Sequence, residues 1–128
     1  MGNCSATFGR GIYLATMFEK AKQHSTPARV GGRSVGFAFL VEAAIGDALV
    51  VPKYGLVGTL PAGFNTVLVK GRRFPNPTED EVVCKDGQDV RVGIGPPTTD
   101  PANPLYHDEV VVYDERLVQL RYVVAFDM

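Results

Sequence analysis

Between Val35 and Ile45 the chain is apolar almost throughout, VGFAFLVEAAI, with Glu42 as the one charged residue. Periodicity alone leaves a buried strand and a buried helix both open. The Val and Phe content, with Gly36 near the start and Gly46 just past the end, points to a strand. Shorter β-rich runs between glycine and proline turns predict strands over Ala48–Val51 and Thr66–Val69. Glu81–Cys84 and Asp89–Val92 flank the sequence KDGQ, whose Asp86-Gly87 pair is a hairpin signal. Gly93–Tyr106, GIGPPTTDPANPLY, holds four prolines and two glycines and reads as a loop, a long one for a compact domain. Glu109–Tyr113 follows as a strand and Asp114–Leu117 as a turn. Val118–Phe126 reads as a last strand, with Val118, Leu120, Tyr122, Val124 and Phe126 on one face by the period of two.

Helical spacing shows only near the start. Thr16 with Glu19 three residues on makes a capping box, which predicts a helix from Met17 to about His24, ended before Pro27. The pattern therefore predicts one domain over residues 1–128, α+β but mostly β, with one short helix and about seven mostly antiparallel strands. Buried sheets need neighbours on both sides of each strand, and few residues precede the first element. The chain reads as beginning inside a larger domain.

Composition narrows the function classes. A chain of 128 residues with 45% hydrophobic and 21% charged residues can bury a core of its own. The net charge is −1, and no polybasic run argues for direct nucleic-acid binding or a membrane surface. No apolar run approaches the ~20 residues of a membrane span, and no leader opens the chain. Cys4 and Cys84 match no metal-binding spacing, which predicts free thiols, no metal site and an intracellular, soluble protein.

The stretch FGRGIYLATMFEKAKQHS, Phe8–Ser25, carries the candidate chemistry. A dinucleotide fingerprint is excluded, because G-x-G-x-x-G needs a third glycine and a preceding strand. By themselves Gly9 and Gly11 read as a plain turn. Lys20, Ala21 and His24 share a helix face at spacings of three and four. Glu109 opens the apolar strand EVVVYD and shares a face with Val111 and Tyr113. It reads either as a solvated strand end or as a general base or charge stabiliser at a cleft mouth.

Taken together, FGRGIYLATMFEKAKQHS, VGFAFLVEAAIGDALVVPK, LPAGFNTVLVKGRRFPNPTED, DGQDVRVGIG and HDEVVVYDERLVQLRYVVAF resemble, in order and spacing, the C-terminal half of a poly(ADP-ribose) polymerase catalytic domain, over about Ser5–Phe126. The resemblance implies the split antiparallel β-sheet of the ADP-ribosyltransferase fold. It implies NAD as substrate, with ADP-ribose passed to protein or polymer acceptors and nicotinamide released. Of that family's His-Tyr-Glu triad, the tyrosine matches Tyr13 and the glutamate matches Glu109. Lys20 matches the helix lysine that supports the glutamate, and Gly9 and Gly11 the glycines that let backbone approach the nicotinamide.

Three departures accompany the match. No His-Gly-Thr motif occurs in these residues, so the resemblance implies that an upstream donor half is required as a partner. His24 stands where the family places a second stacking tyrosine, and imidazole stacks over less area. Ala21 stands where the family has a serine that bonds the nicotinamide amide, a loss of roughly 1 kcal/mol. The implied activity is NAD-dependent ADP-ribosyl transfer in the nucleus. The alternative is a catalytically inactive module that binds NAD, ADP-ribose or protein. With the donor half missing, the 128 residues alone are expected to bind NAD weakly and to label nothing.

Overall fold

The computed structural model describes residues 8–51, 60–103 and 105–128. These residues are mostly strand with one short helix, as the sequence pattern predicts. The central sheet has four strands in the order β1 (Ile12–Ala15), β11 (Glu109–Val112), β5 (Thr66–Val69), β4 (Leu49–Val51). β11 pairs antiparallel with both β1 and β5, while β4 runs parallel to β5. β5 and β11 lie inside the sheet, which is why Thr-Val-Leu-Val and Glu-Val-Val-Val are apolar at nearly every position rather than alternating. Phe8, Val51, Val67, Val69, Leu105 and Val111 form the buried core on one face of this sheet. Tyr13, Leu49, Leu60 and Tyr113 pack around them.

A second sheet joins β12 (Val118–Asp127), β3 (Arg33–Ala43) and β2 (Ala28–Val30), antiparallel throughout. Its register shifts between Leu120 and Tyr122, so that Leu120 faces Val41 but Tyr122 faces Leu40. Arg121 is the extra residue, and its Nε donates to Glu42 Oε2 at 2.6 Å. This bulge corrects the expected single face. Val118 and Leu120 lie on one side, and Tyr122, Val124 and Phe126 pass to the other, because one added residue inverts a period of two.

The hairpin of β7 (Glu81–Lys85) and β8 (Gln88–Val92) forms where expected. Asp86 and Gly87 both take positive φ, 52° and 77°, as a two-residue primed turn requires. The proline-rich stretch is not a simple loop. Within it β9 (Pro97–Thr99) pairs antiparallel with β6 (Gly71–Pro75), and β10 (Leu105–His107) pairs parallel with the same strand. Proline is tolerated there because β9 and β10 are edge strands, each with a single hydrogen-bonded neighbour among the described residues.

The helix α1 spans Phe18–Lys22, shorter at both ends than the sequence predicts. Thr16 does not cap it: Met17 is the N-cap and no side chain caps the first turn. The Glu19 carboxylate goes instead to Arg73 and His107, and the charged guanidinium is a stronger partner for it than a backbone N–H. No helix among the described residues is long and apolar enough to cross a membrane.

Candidate functional site

The Gly9–Arg10–Gly11 turn delivers the chain into β1. Gly9 sits at φ 83°, a region open to glycine at no steric cost. A side chain on Gly11 would run into Val111 Cγ1 at 2.7 Å, so this glycine lets β1 lie close on β11. Two tyrosines then pin the turn. The Tyr13 hydroxyl donates to Gly9 O at 2.7 Å and accepts from Phe8 N at 3.0 Å. The Tyr113 hydroxyl donates to Phe8 O at 2.5 Å, and burial, with Tyr13 beside it, raises the Tyr113 pKa.

The register of β1 on β11 decides which side chains can meet. Tyr13 lies opposite Val111 and Ala15 opposite Glu109. Directly paired residues share a face, so Tyr13 and Glu109 project from the same side as diagonal neighbours, about 7–8 Å apart. Glu109 is half-buried at the end of β11, beside the point where β1 gives way to α1. Lys20 and Ala21 are half-buried on α1, and His24 is exposed in the turn that follows the helix. The described residues show no ion pair between Lys20 and Glu109.

Behind Glu109 lies a polar network that sequence reasoning missed. His107 and Asp108, the two residues before it, are buried. The Asp108 Oδ1 accepts from Gly71 N at 2.5 Å, and Asn103 Nδ2 donates to Gly71 O at 3.0 Å. Burial pushes the Asp108 carboxyl up, opposed in part by the Gly71 N–H. The His107 Nε2 meets Glu19 Oε2 at 3.2 Å, and Arg73 Nε donates to the same oxygen at 3.0 Å. Glu19 is ionised in this setting: the His107 and Arg73 hydrogen bonds hold its carboxyl below the usual range. An ionised carboxylate only accepts, so His107 Nε2 carries the proton. The sequence signal was present in HDE, three polar residues ahead of an apolar strand, but nothing local ties Glu19 or Arg73 to it.

An open depression lined by Arg10, Asn65, Tyr113 and Asp114 lies at the opposite end of the β1–β11 ladder from Glu109. Hydrogen bonds from Arg116 hold the Asp114 carboxyl there down to about 2. Cys84 is exposed on β7, and Cys4 lies outside the described residues.

With this geometry in hand, comparison with known proteins defines the class. The model of the poly(ADP-ribose) polymerase catalytic domain matches residues 1–128. The chain belongs to that family. It is 32% identical to the protein mono-ADP-ribosyltransferase PARP3 of Mus musculus, over 100% of this chain and 25% of that protein. It is 33% identical to poly [ADP-ribose] polymerase 1 of Xenopus laevis, over 91% of this chain and 11% of that protein. It is 31% identical to poly [ADP-ribose] polymerase 2 of Arabidopsis thaliana, over 91% of this chain and 18% of that protein. The chain thus spans a quarter or less of these relatives' lengths.

Proposed function

We propose that residues 1–128 form the C-terminal half of an NAD-dependent ADP-ribosyltransferase domain that acts on protein acceptors in the nucleus. The single observation that carries this reading is the shared face of Tyr13 and Glu109 on one antiparallel pair, in a chain of this family. Tyr13, His24 and the Gly9–Gly11 backbone would hold the nicotinamide end of NAD, with Ala21 leaving its amide one hydrogen bond short. The bond between ribose C1′ and the nicotinamide nitrogen breaks, and nicotinamide leaves with the electron pair. Positive charge then builds on the ribose, as in glycoside hydrolysis. Glu109 stabilises it through a ribose hydroxyl and takes the proton that the acceptor loses as it bonds to C1′. By the family resemblance, Lys20 would support the glutamate.

The absence of a His-Gly-Thr motif from these residues, with Ala21 and His24 at two contact positions, favours a second reading: a module that binds NAD, ADP-ribose or protein without turnover. One experiment separates the two. Labelled NAD is offered to the chain alone and to the chain joined, covalently or in trans, to the donor-side half of a catalytic domain of the family. The proposal expects weak binding and no labelling by the chain alone, and transfer by the joined protein. Glu109→Gln in the joined protein should abolish most transfer and leave NAD affinity nearly intact, since the charge acts mainly in the transition state. Labelling that ignores Glu109→Gln would overturn the assignment.

A further inference from the structure

Helix α1 carries Lys20 and Ala21, and five residues are far too few to hold helical form in water unaided. Its placement must come from tertiary anchors. One is apolar: the Phe18 ring meets Phe126 of β12 edge-on, with centroids 4.9 Å apart. Another is the turn beyond the helix, where Ser25 Oγ donates to Phe37 O at 2.9 Å. Neither touches the strand that carries Glu109. Besides the backbone of β1, whose Ala15 pairs with Glu109, the side-chain link back toward that strand is Glu19. Arg73 and His107 are register partners on the parallel pair β6–β10, so their side chains leave the same face and converge on a single carboxylate oxygen. His107 is buried, its side chain only 2% exposed, so its ring cannot swing aside. Arg73 is also partly buried, with 35% of its side chain exposed. β10 ends at His107, Asp108 is tied to Gly71, and Glu109 begins β11. Residue 19 on the helix is therefore joined through one side chain to a rigid strand end two residues from Glu109. Lys20 follows Glu19 directly.

We propose that Glu19 is a positioning residue for ADP-ribosyl transfer: bridged to Arg73 and His107, it sets helix α1, with Lys20 and Ala21, at a fixed distance and rotation from Glu109. The inference rests on the transferase reading above and adds to it the element that aligns the two sides of the site. Loosening the bridge should disturb the alignment of the ribose with Glu109 more than it weakens NAD binding, because the proposed contacts at Tyr13 and the Gly9–Gly11 backbone do not depend on it.

The chain has two histidines, His24 and His107, so imidazole ¹⁵N spectra can be assigned with one substitution. In Glu19→Ala the His107 ring signals and the Lys20 and Ala21 amide signals should move, while the His24 ring signals stay. In the joined protein Glu19→Ala should lower kcat about tenfold with KM for NAD changed less than twofold. Glu19→Gln keeps an acceptor oxygen in the same volume and should fall between wild type and Glu19→Ala. Should Glu19→Ala fail to fold, Glu19→Gln carries both measurements. His107 signals indifferent to Glu19, or a shifted His107 with unchanged kcat, would overturn the proposal. A wild-type enzyme that ignores Glu109→Gln instead breaks the transferase reading. In that case the amide shifts at Lys20 and Ala21 still decide whether the bridge places the helix.

Discussion

Val111 and Phe39 both sit within strands that are apolar at nearly every position, yet Val111 is wholly buried and Phe39 is 61% exposed. The contrast extends to their sheets. In β1–β11–β5–β4, Val67, Val69, Val111 and Val112 are sealed, with Phe8 closing one face. In β12–β3–β2, large apolar side chains stand open on both faces: Phe39, Leu120 and Val123 on one, Leu40 and Tyr122 on the other. Apolar strand sequence thus encodes pairing and a demand for cover, but not the cover itself. The described residues supply it to the first sheet and not to the second.

The widest test of that contrast removes one aromatic ring from each sheet. Phe8→Ala should cost about 3–5 kcal/mol, a large part of the ~5–15 kcal/mol that holds a domain folded. Phe39→Ala should cost no more than about 0.5 kcal/mol. Urea unfolding measures both, and equal losses would mean that the second sheet is covered in solution.

A glycine in each setting gives the next comparison. A Cβ on Gly71 would overlap the backbone of His107 and Asp108, which cannot retreat without parting β6 from β10. A Cβ on Gly36 would meet the Phe126 ring and the Met128 sulfur, the far ends of side chains rather than backbone. Gly71→Ala should therefore cost about 1–3 kcal/mol and Gly36→Ala clearly less. A melting-temperature pair decides it, and the reverse order would show the second sheet to be the rigid one.

Smaller effects sharpen the picture within the first sheet. Tyr13→Phe removes both bonds to the Phe8–Gly9 backbone but keeps the ring, for a cost of about 1 kcal/mol. Hydrogen exchange at the Phe8 amide should quicken with it, and an unchanged rate would show that Tyr113 alone holds the turn. Asp108→Asn is the mildest. Burial raises the Asp108 pKa, so this carboxyl favours the fold while protonated, below its unfolded value, and loses that contribution as pH rises through its folded value. Asparagine keeps an oxygen for Gly71 N–H without the charge. Stability near pH 7 should hold or rise by up to about 1 kcal/mol, with the difference vanishing in acid. A loss at neutral pH would show that the charge itself is needed there.

How much of this was legible beforehand follows from how far each feature reaches along the chain. The β7–β8 hairpin was, because Asp86 and Gly87 select their own turn. Glu109 stood out as a carboxylate heading an apolar strand. The strands inside the proline-rich stretch were not legible, since β9 and β10 exist only through β6, some 30 residues earlier. The inversion at Arg121 was hidden because a bulge leaves the run of apolar residues intact. Thr16 and Glu19 gave a sound local helix signal that two distant partners overrode. Arg73 and His107 lie 54 and 88 residues from Glu19.

By itself, then, the sequence determined what one or two residues can dictate: extended or helical backbone, the positive-φ turns, and the alternation that turns Glu109 to one face of its strand. Such choices are set by local sterics and need no partner. Tertiary structure alone decided which strands touch, which apolar faces are covered, and that Glu19 reaches His107 rather than Thr16. Those outcomes depend on competition among distant groups for the same hydrogen bonds and the same buried space, and only the folded chain brings the competitors together.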